Sequence, residues 1–378
     1  MIDTAPFRWS TYVQAEGDDL RDLFETHFRR AGRRVCYVLG RGFDPRMMLG
    51  LELVLPLNPQ GTCSVILLEF NEGENSPSRR YADWAEENLA RLRSLVKTPN
   101  VIDTKSVAVW PPDGRRIGSR SAANLFRRPE EVAAYTDIIV DSSSLPRAIV
   151  YPLLAKLLHL VERSPEGSSR KNLFVLAAEN AEIDRRIVEE GIDEDADYVH
   201  LFRSGAERMA ASGEPKIWIP VLGERQALQL RRIYDLVMPD EICPVLPSPS
   251  FDPRRADDLV LEYRELLFDQ LRVEPRNFIY ASERNPFEVY RQIRRTVLDY
   301  YRVLAPLGGC RAVVSSVSSK LLSIGALMAA YELKRARFDV GIGHVEAQGY
   351  RIEDETMVRS LAPQSAVVGL WLTGECYA

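Results

Sequence analysis

Short apolar runs alternate with amphipathic stretches along most of this chain. Runs such as VCYVL (35–39), CSVILLEF (63–70) and KIWIPVLG (216–223) end at glycine or at polar residues, as buried parallel strands do. Between such runs lie segments such as SPSRRYADWAEENLARLRSLVK, which opens with Ser and Pro and is predicted to be a helix. The alternation is typical of βαβ units. The sequence therefore predicts an α/β protein of two tandem Rossmann-like halves, with mostly parallel sheets flanked by helices.

The domain organisation is predicted from the length and from one proline-rich segment. A chain of 378 residues is expected to form two domains, at about 100–200 residues per domain. The stretch PDEICPVLPSPSFDPRRADD is rich in proline, which argues against a central strand. We predict an N-terminal Rossmann-like domain over 1–240, a connector over 241–256 and a C-terminal Rossmann-like domain over 257–378. Alternatively, Ser248, Ser250 and Arg254 of this segment fold back over a ligand site.

The two halves echo each other in the order of their parts. In the first half, a strand runs into DSSSLPR and an apolar helix, and in the second a strand runs into SSVSSK and an apolar helix. The later strand FVLAAEN is echoed by VGIGHVEAQ. Sequence identity between the halves is low, so the echo concerns the arrangement of elements and polar turns.

Charge and composition narrow the classes of function. The net charge is −5 and there is no basic block, which argues against a protein that coats nucleic acid. Five cysteines without C-x-x-C spacing fit a reducing compartment and not the usual zinc patterns, so no metal site is predicted. No signal peptide and no apolar run of about 18 residues is recognised, so we expect a cytoplasmic protein without membrane contact.

The first candidate site follows the run at 35–39. Gly40 and Gly42 allow a ligand to approach the backbone, Asp44 is suited to accept from ribose hydroxyls, and Arg41 or Arg46 to pair with phosphate. The segment is not a G-x-G-x-x-G fingerprint, because Arg46 replaces the third glycine. The alternative is a tight turn with an internal Asp–Arg pair.

A second candidate site lies where the strand of YTDIIV ends. Successive hydroxyls and unpaired N–H groups at a helix N-terminus favour an anion. The alternative is ordinary N-capping, which needs only one hydroxyl. The residues of this candidate are Asp141, Ser142, Ser143, Ser144 and Arg147.

The sharpest candidate is the turn SSVSSK of the second half. Lys320 is one of only seven lysines, and it stands at the start of an apolar helix. A cation is unfavourable at a helix N-terminus, and an anion held between the lysine and the helix N–H groups would resolve the conflict. Alternatively, the lysine points into water or pairs with a carboxylate. The ligand residues predicted here are Ser316, Ser318, Ser319 and Lys320.

Polar residues at the ends of two further strands complete the predicted ligand set. These are Ser282, Glu283 and Asn285 after the strand NFIYAS, and Glu346 after VGIGHV. The alternative is that they are ordinary loop residues, because polar side chains at strand ends are common. We expect them to face the same edge of a sheet as the turn at Lys320.

The segment VVSSVSSKLLSIGALMAAYE resembles the strand, polar loop and helix of the CRISPR-associated Rossmann-like sensor domains called CARF. The resemblance covers roughly residues 277–350, and Ser-Val-Ser-Ser stands where that family has a Gly-Gly-Thr core. It implies a cyclic oligonucleotide as ligand and a role in prokaryotic defence against phage. No nuclease domain is recognised beside it.

Three functions remain open at the level of sequence. The first is a sensor that binds a nucleotide or another phosphate-bearing small ligand and reports to a protein partner or to its own oligomer. The second is a hydrolase or transferase acting on a nucleotide or sugar phosphate, with Asp44 or Asp141 as base or nucleophile. The third is a structural subunit of a larger complex. No cofactor is indicated, and no Walker, G-x-S-x-G or H-E-x-x-H motif is present.

Overall fold

The computed structural model describes residues 7–70, 73, 76–109, 116–163, 170–203 and 213–377. The chain divides into two compact units, and each is assembled from two segments of the sequence. The first unit consists of Tyr12–Gly191 and Ala347–Ala378, and the second of Met1–Thr11 and Ile192–Glu346. Among the described residues, no helix combines the length and the apolar character that a membrane span requires.

The elements alternate between strands and helices, as the sequence pattern predicts. The strands are β1 (Val13–Glu16), β2 (Arg34–Gly40), β3 (Thr62–Phe70), β4 (Val101–Val107), β5 (Asp137–Asp141), β6 (Asn172–Glu179), β7 (Ile187–Glu189), β8 (Asp197–Tyr198), β9 (Lys216–Val221), β10 (Glu241–Ile242), β11 (Val245–Pro247), β12 (Ile279–Ala281), β13 (Arg311–Ser316), β14 (Val340–His344), β15 (Tyr350–Ile352) and β16 (Ala366–Thr373). The helices are α1 (Gly17–Phe28), α2 (Leu49–Leu57), α3 (Ala82–Leu95), α4 (Gly118–Ala123), α5 (Glu130–Ala133), α6 (Arg147–Glu162), α7 (Ala181–Asp184), α8 (Ala227–Val237), α9 (Arg255–Glu262), α10 (Pro286–Val303), α11 (Lys320–Arg335) and α12 (Glu355–Leu361).

The main sheet of the first unit has the strand order β4-β3-β2-β5-β6-β16-β1. Strands β2 to β6 are parallel to their neighbours, whereas β16 and β1 are antiparallel additions. Numbered 1 to 5 along the chain, these five parallel strands lie across the sheet in the order 3-2-1-4-5. The direction of winding therefore reverses between β2 and β5. A reversal of this kind is the topological switch point at which open α/β sheets bind ligands.

The sheet of the second unit has the order β12-β11-β9-β13-β14-β8, with the short β10 beside β9. Besides β10, the parallel strands of this sheet are β9, β11, β12, β13 and β14. Numbered 1 to 5 along the chain, they lie across the sheet in the order 3-2-1-4-5, as in the first unit. The switch point therefore lies between β9 and β13. Strand β8 closes the edge as an antiparallel neighbour of β14.

Buried apolar side chains hold each sheet between its helices. In the first unit, Leu20 and Phe24 of α1 and Leu51 of α2 pack with Tyr37 and Val65 of the central strands. Strands β5 and β13 are buried along their whole length, including the polar residues at the ends of their short apolar runs.

The second unit has a core of its own, formed on one face of its sheet by α8 and α9. Ile233 of α8 and Leu259 of α9 pack there with Trp218 and Val313 of the sheet. Each unit thus buries a separate set of apolar side chains, as expected for two domains.

The α/β class and the mostly parallel sheets are confirmed, but the units are not consecutive halves of the chain. Strand β9, expected in the domain 1–240, pairs with β13 in the second unit. The last strand, β16, expected in the domain 257–378, pairs with β6 in the first unit. The physical reason is strand pairing over long sequence separations, which no local pattern encodes.

The proline-rich segment 241–256 is not a connector between the units, and the expectation that it excludes a central strand is wrong. Its strand β11 lies between β9 and β12. The prolines lack an N–H group, but neighbouring residues donate the hydrogen bonds that pair β11 with β12. Ile279 N donates to Pro244 O at 2.8 Å, and Ser248 N, just after Pro247, donates to Ala281 O at 2.8 Å.

Candidate functional site

At the switch point of the first unit, the turn after β2 meets the turn after β5. Ser144 Oγ donates to Gly40 O at 2.7 Å, which joins the two predicted segments directly. A Cβ on Gly40 would lie 2.6 Å from Leu145 Cδ2 and 3.1 Å from Ser144 O, so a glycine is needed for this approach. Gly42 O, two residues on, accepts from Asn88 Nδ2 at 2.9 Å. The turn after β2 and the turn after β5 therefore converge.

Asp44 and Arg46 form the internal pair that was the alternative to a ligand site. Arg46 Nη2 lies 2.8 Å from Asp44 Oδ2 and Arg46 Nη1 lies 2.8 Å from Asp184 Oδ1. Only 3% of Arg46 is exposed. Burial alone lowers the pKa of Arg46, but the two carboxylates outweigh it and raise that pKa above its ordinary value. Both predicted ligand groups are thus engaged within the turn.

Asp141 is buried beneath β2 and α2, with 1% of its surface exposed. Its Oδ2 accepts from the Tyr37 hydroxyl at 2.6 Å, and its Oδ1 accepts from Ser143 N at 2.9 Å. Burial and the neighbouring Asp141 raise the pKa of Tyr37 well above its ordinary value, so the phenol stays a donor. A carboxylate placed in this way fixes the end of β5.

Two of the three predicted hydroxyls after β5 tie that strand to β6. Ser142 Oγ donates to Leu176 O at 2.8 Å, and Ser143 Oγ accepts from Ala178 N at 2.9 Å. The third, Ser144, is half-buried and bonds to the turn after β2. The N-cap of α6 is Pro146, without a side-chain cap bond, so the N-capping alternative is wrong. The three hydroxyls bond instead to the backbone of β6 and of the turn after β2.

The predicted arginines of the first unit are paired with carboxylates of the same unit. Arg41 Nη1 lies 2.6 Å from Glu69 Oε1, and Arg41 also contacts Glu86. Arg147, the first residue of α6, has its Nη1 3.2 Å from Glu189 Oε1. Burial alone lowers the pKa of Arg147, and Glu189 raises it above its ordinary value.

The switch point of the second unit repeats the close approach of the first. A Cβ on Gly223, just after β9, would lie 2.2 Å from Val317 O and 2.8 Å from Ser318 Cα. Gly223 thus has the same role beside the turn after β13 that Gly40 has beside the turn after β5. The deeper hydroxyls are again structural. Ser315 Oγ accepts from Trp218 Nε1 at 2.9 Å, and Ser316 Oγ lies 2.9 Å from Ser323 Oγ.

The residues that reach the start of α11 are Ser318, Ser319 and Lys320. Ser319 is the N-cap, and its Oγ accepts from Leu322 N at 3.3 Å. Lys320 is the first helical residue and is half-buried. Gly325 lets the helix pack closely, because a Cβ there would lie 2.3 Å from Pro286 O of α10. The structure therefore brings a cation, a cap hydroxyl and a helix N-terminus together at a switch point.

Asn285 and Ser282, from the turn after β12, serve α10. Asn285 caps that helix through Oδ1, which accepts from Phe287 N at 3.0 Å. Ser282 N donates to Glu288 Oε2 at 2.9 Å. Both residues therefore stabilise the start of α10.

Glu283 lies in the same turn after β12, and Glu346 follows β14. Glu283 Oε1 lies 2.6 Å from Arg255 Nε, and Arg255 also contacts Glu224 after β9. Glu346 Oε2 lies 4.0 Å from His344 Nε2. Sequence reasoning missed Arg255 because it lies within the segment 241–256 that was interpreted as a connector. It missed Glu189 because β7 has no apolar run.

The candidates fall into two sites in different units. Residues 40–147 of the set belong to the first unit, and residues 282–346 belong to the second. Within the described ranges, no group of three or more His, Cys, Asp or Glu side chains is arranged to hold a metal ion. The fold and the two switch points define a Rossmann-like α/β protein of two units.

Comparison with known proteins adds no narrower class. No family model matches the sequence, and no curated protein matches it. Among solved structures, the chain is similar to a universal stress protein from Archaeoglobus fulgidus DSM 4304. The identity is 10%, the match covers 81% of this chain and 95% of that chain, and the TM-score is 0.21. A likeness at this score carries no argument about function.

Proposed function

We propose that this protein binds a phosphate-bearing small ligand, of the nucleotide class, at the switch point of its second unit. The observation that carries this proposal is the position of Lys320. It is the first residue of a 16-residue helix, beside the N-cap Ser319, where the winding of the sheet reverses. A helix N-terminus at a switch point favours an anion, and the lysine adds a compact positive charge.

A binding role is favoured over catalysis because the two carboxylates suggested as base or nucleophile are already hydrogen-bonded within the protein. Asp44 is engaged with Arg46, and Asp141 with Tyr37 and Ser143. A general base must reach a proton of the substrate, and a carboxylate that is 1% exposed does not. Neither aspartate belongs to the unit that contains Lys320. Both aspartates suggested for catalysis are therefore engaged with partners of their own unit.

We further propose that the protein acts as a sensor of this ligand in a prokaryotic defence system. The CARF resemblance of residues 277–350 favours a cyclic oligonucleotide as ligand and a role in prokaryotic defence. A sensor of this kind would report to a protein partner or to a second copy of the chain. The Ser-Val-Ser-Ser sequence of the turn supplies hydroxyls where that family has glycines, so other nucleotides belong in the same test.

A thermal-shift screen tests the proposal with nucleotides, dinucleotides, cyclic oligonucleotides and sugar phosphates. A ligand present at about 100 Kd adds roughly 2.7 kcal/mol to the free energy of unfolding. We expect a shift for one phosphate-bearing class that is reduced in Lys320→Ala. The matched control is Lys334→Ala, at the other end of the same helix. No shift with any class would favour the structural-subunit hypothesis.

A further inference from the structure

The switch point of the first unit is covered by a two-stranded ribbon of the same unit. Strands β7 and β15 form this ribbon, with Tyr350 opposite Glu189 and Ile352 opposite Ile187. The ribbon is separate from the main sheet. In sequence, its two strands flank the segment Ile192–Glu346 that belongs to the second unit.

The ribbon is attached to three segments that emerge at the carboxyl edge of the main sheet. After β5, Arg147 pairs with Glu189 at 3.2 Å. After β2, the ring of Phe43 lies 6.4 Å from that of Tyr350. After β3, Tyr81 OH accepts from Ile352 N at 2.7 Å. The attachments span both sides of the switch point between β2 and β5.

Glu189 places a carboxylate at the start of α6. Its side chain is 14% exposed and that of Arg147 is 21% exposed, so the pair is largely withdrawn from water. A cation at the first position of a helix opposes the helix dipole, and an anion beside it removes the conflict. Glu189 therefore supplies, at the start of α6, a negative charge of the kind that a phosphate would bring.

We propose that the β7–β15 ribbon is a strap that closes the switch point of the first unit, with Glu189 seated where the anion of a ligand would bind Arg147. A phosphate-bearing molecule that competes for Arg147 displaces the strap. Since residues 192–346 lie in sequence between the two strap strands, opening acts on the same stretch of chain that leads into the second unit. This regulatory contact stands on the geometry of the first unit and does not require a ligand at Lys320.

The test is the thermal response to inorganic pyrophosphate of wild type, Glu189→Gln and the matched control Glu190→Gln. Glu190 directly follows β7 and pairs with Arg80 and with Arg351 of β15, so its replacement perturbs the ribbon but leaves the Arg147–Glu189 pair in place. In Glu189→Gln we expect a saturable rise in Tm with pyrophosphate, beyond that of sodium chloride at equal ionic strength. Wild type and Glu190→Gln should show a smaller response. Adding Arg147→Gln to Glu189→Gln should abolish the rise.

Equal responses in Glu189→Gln and Glu190→Gln would overturn the strap, and Glu189 would then be a structural partner of Arg147 only. Should Glu189→Gln not fold, hydrogen exchange of the wild type decides. High pyrophosphate should speed exchange of the amides in 187–189 and 350–352, and unchanged exchange would overturn the proposal. Repeating the titration in a Lys320→Ala background separates the two sites, since that change affects only the ligand proposed for the second unit.

Discussion

Arg147 and Lys320 occupy equivalent positions, each as the first residue of the helix that follows the fourth parallel strand of its unit. The turn before each helix lies against a glycine near the end of the first parallel strand, Gly40 in the first unit and Gly223 in the second. The equivalence explains the loose echo between DSSSLPR and SSVSSK in the sequence. The Arg147–Glu189 pair shows how an anion stabilises a cation at the first position of such a helix.

The close approach at the second switch point gives a prediction about stability. In Gly223→Ala the added Cβ would meet the backbone of the turn 317–318, which has no flexible end that could move aside. We expect the free energy of unfolding to fall by about 1–3 kcal/mol. Denaturant unfolding measures this, with Gly213→Ala as control because no atom lies within 4 Å of a Cβ there. Equal stability of the two variants would contradict the packing described for β9 and the turn.

Asp141 separates the binding hypothesis from the enzyme hypothesis. Asp141→Asn keeps the shape of the side chain but places an amide beside the Tyr37 hydroxyl and Ser143 N. We expect a loss of about 1–3 kcal/mol of stability, since the amide keeps one acceptor oxygen and one of the two buried donors loses its acceptor. At a temperature where the variant is folded, its ligand Kd should equal that of the wild type. A large loss of turnover on any nucleotide, with stability unchanged, would instead support a catalytic aspartate.

Glu375 fixes the C-terminal segment of the first unit and gives a pH-dependent prediction. Arg33 Nη1 and Nη2 donate to its two oxygens at 2.8 and 3.0 Å. The Arg33 bond is the main cause that lowers the pKa of Glu375 to about 2. Because the folded-state pKa lies below the ordinary value, this contribution is present above about pH 4.5 and is lost as the pH falls towards 2.

Replacement of Glu375 by Gln should therefore lower Tm at pH 7, and the difference from wild type should shrink between about pH 4.5 and 2. Glu375 is partly exposed, so we expect an effect of about 1 kcal/mol at pH 7. Calorimetric scans of both proteins across this range provide the measurement. A difference that stays constant with pH would show that the carboxylate charge is not what Arg33 stabilises.

The polar turns of both sites could be located from sequence, because apolar runs mark the strands and parallel strands deliver their carboxyl ends to one edge. The engagement of the site residues could not be predicted. Tyr37, which holds Asp141, is 104 residues away from it in the chain. The pairing of β16 with β6 likewise joins segments that are far apart in sequence. Tertiary partners of this kind leave no periodic signal.

Sequence analysis did not predict the strap, for a different reason. Strands β7 and β15 have three residues each, and most of their side chains are only half-buried. Such segments carry neither the alternation of a strand nor an apolar run. Nothing in the sequence therefore distinguishes Glu189 from other carboxylates, and its pairing with Arg147 is seen only in the structure.

Isothermal titration calorimetry of a double-mutant cycle tests most directly whether Lys320 holds a ligand phosphate. The nucleotide with the largest thermal shift and its dephosphorylated nucleoside are titrated into wild type, Lys320→Ala and Lys334→Ala. In wild type and Lys334→Ala, removing the phosphate should weaken binding by about 10- to 150-fold, as loss of charge-assisted hydrogen bonds does. In Lys320→Ala the same removal should cost clearly less. If Lys320→Ala binds the nucleotide as tightly as wild type, the proposed site at the start of α11 is wrong.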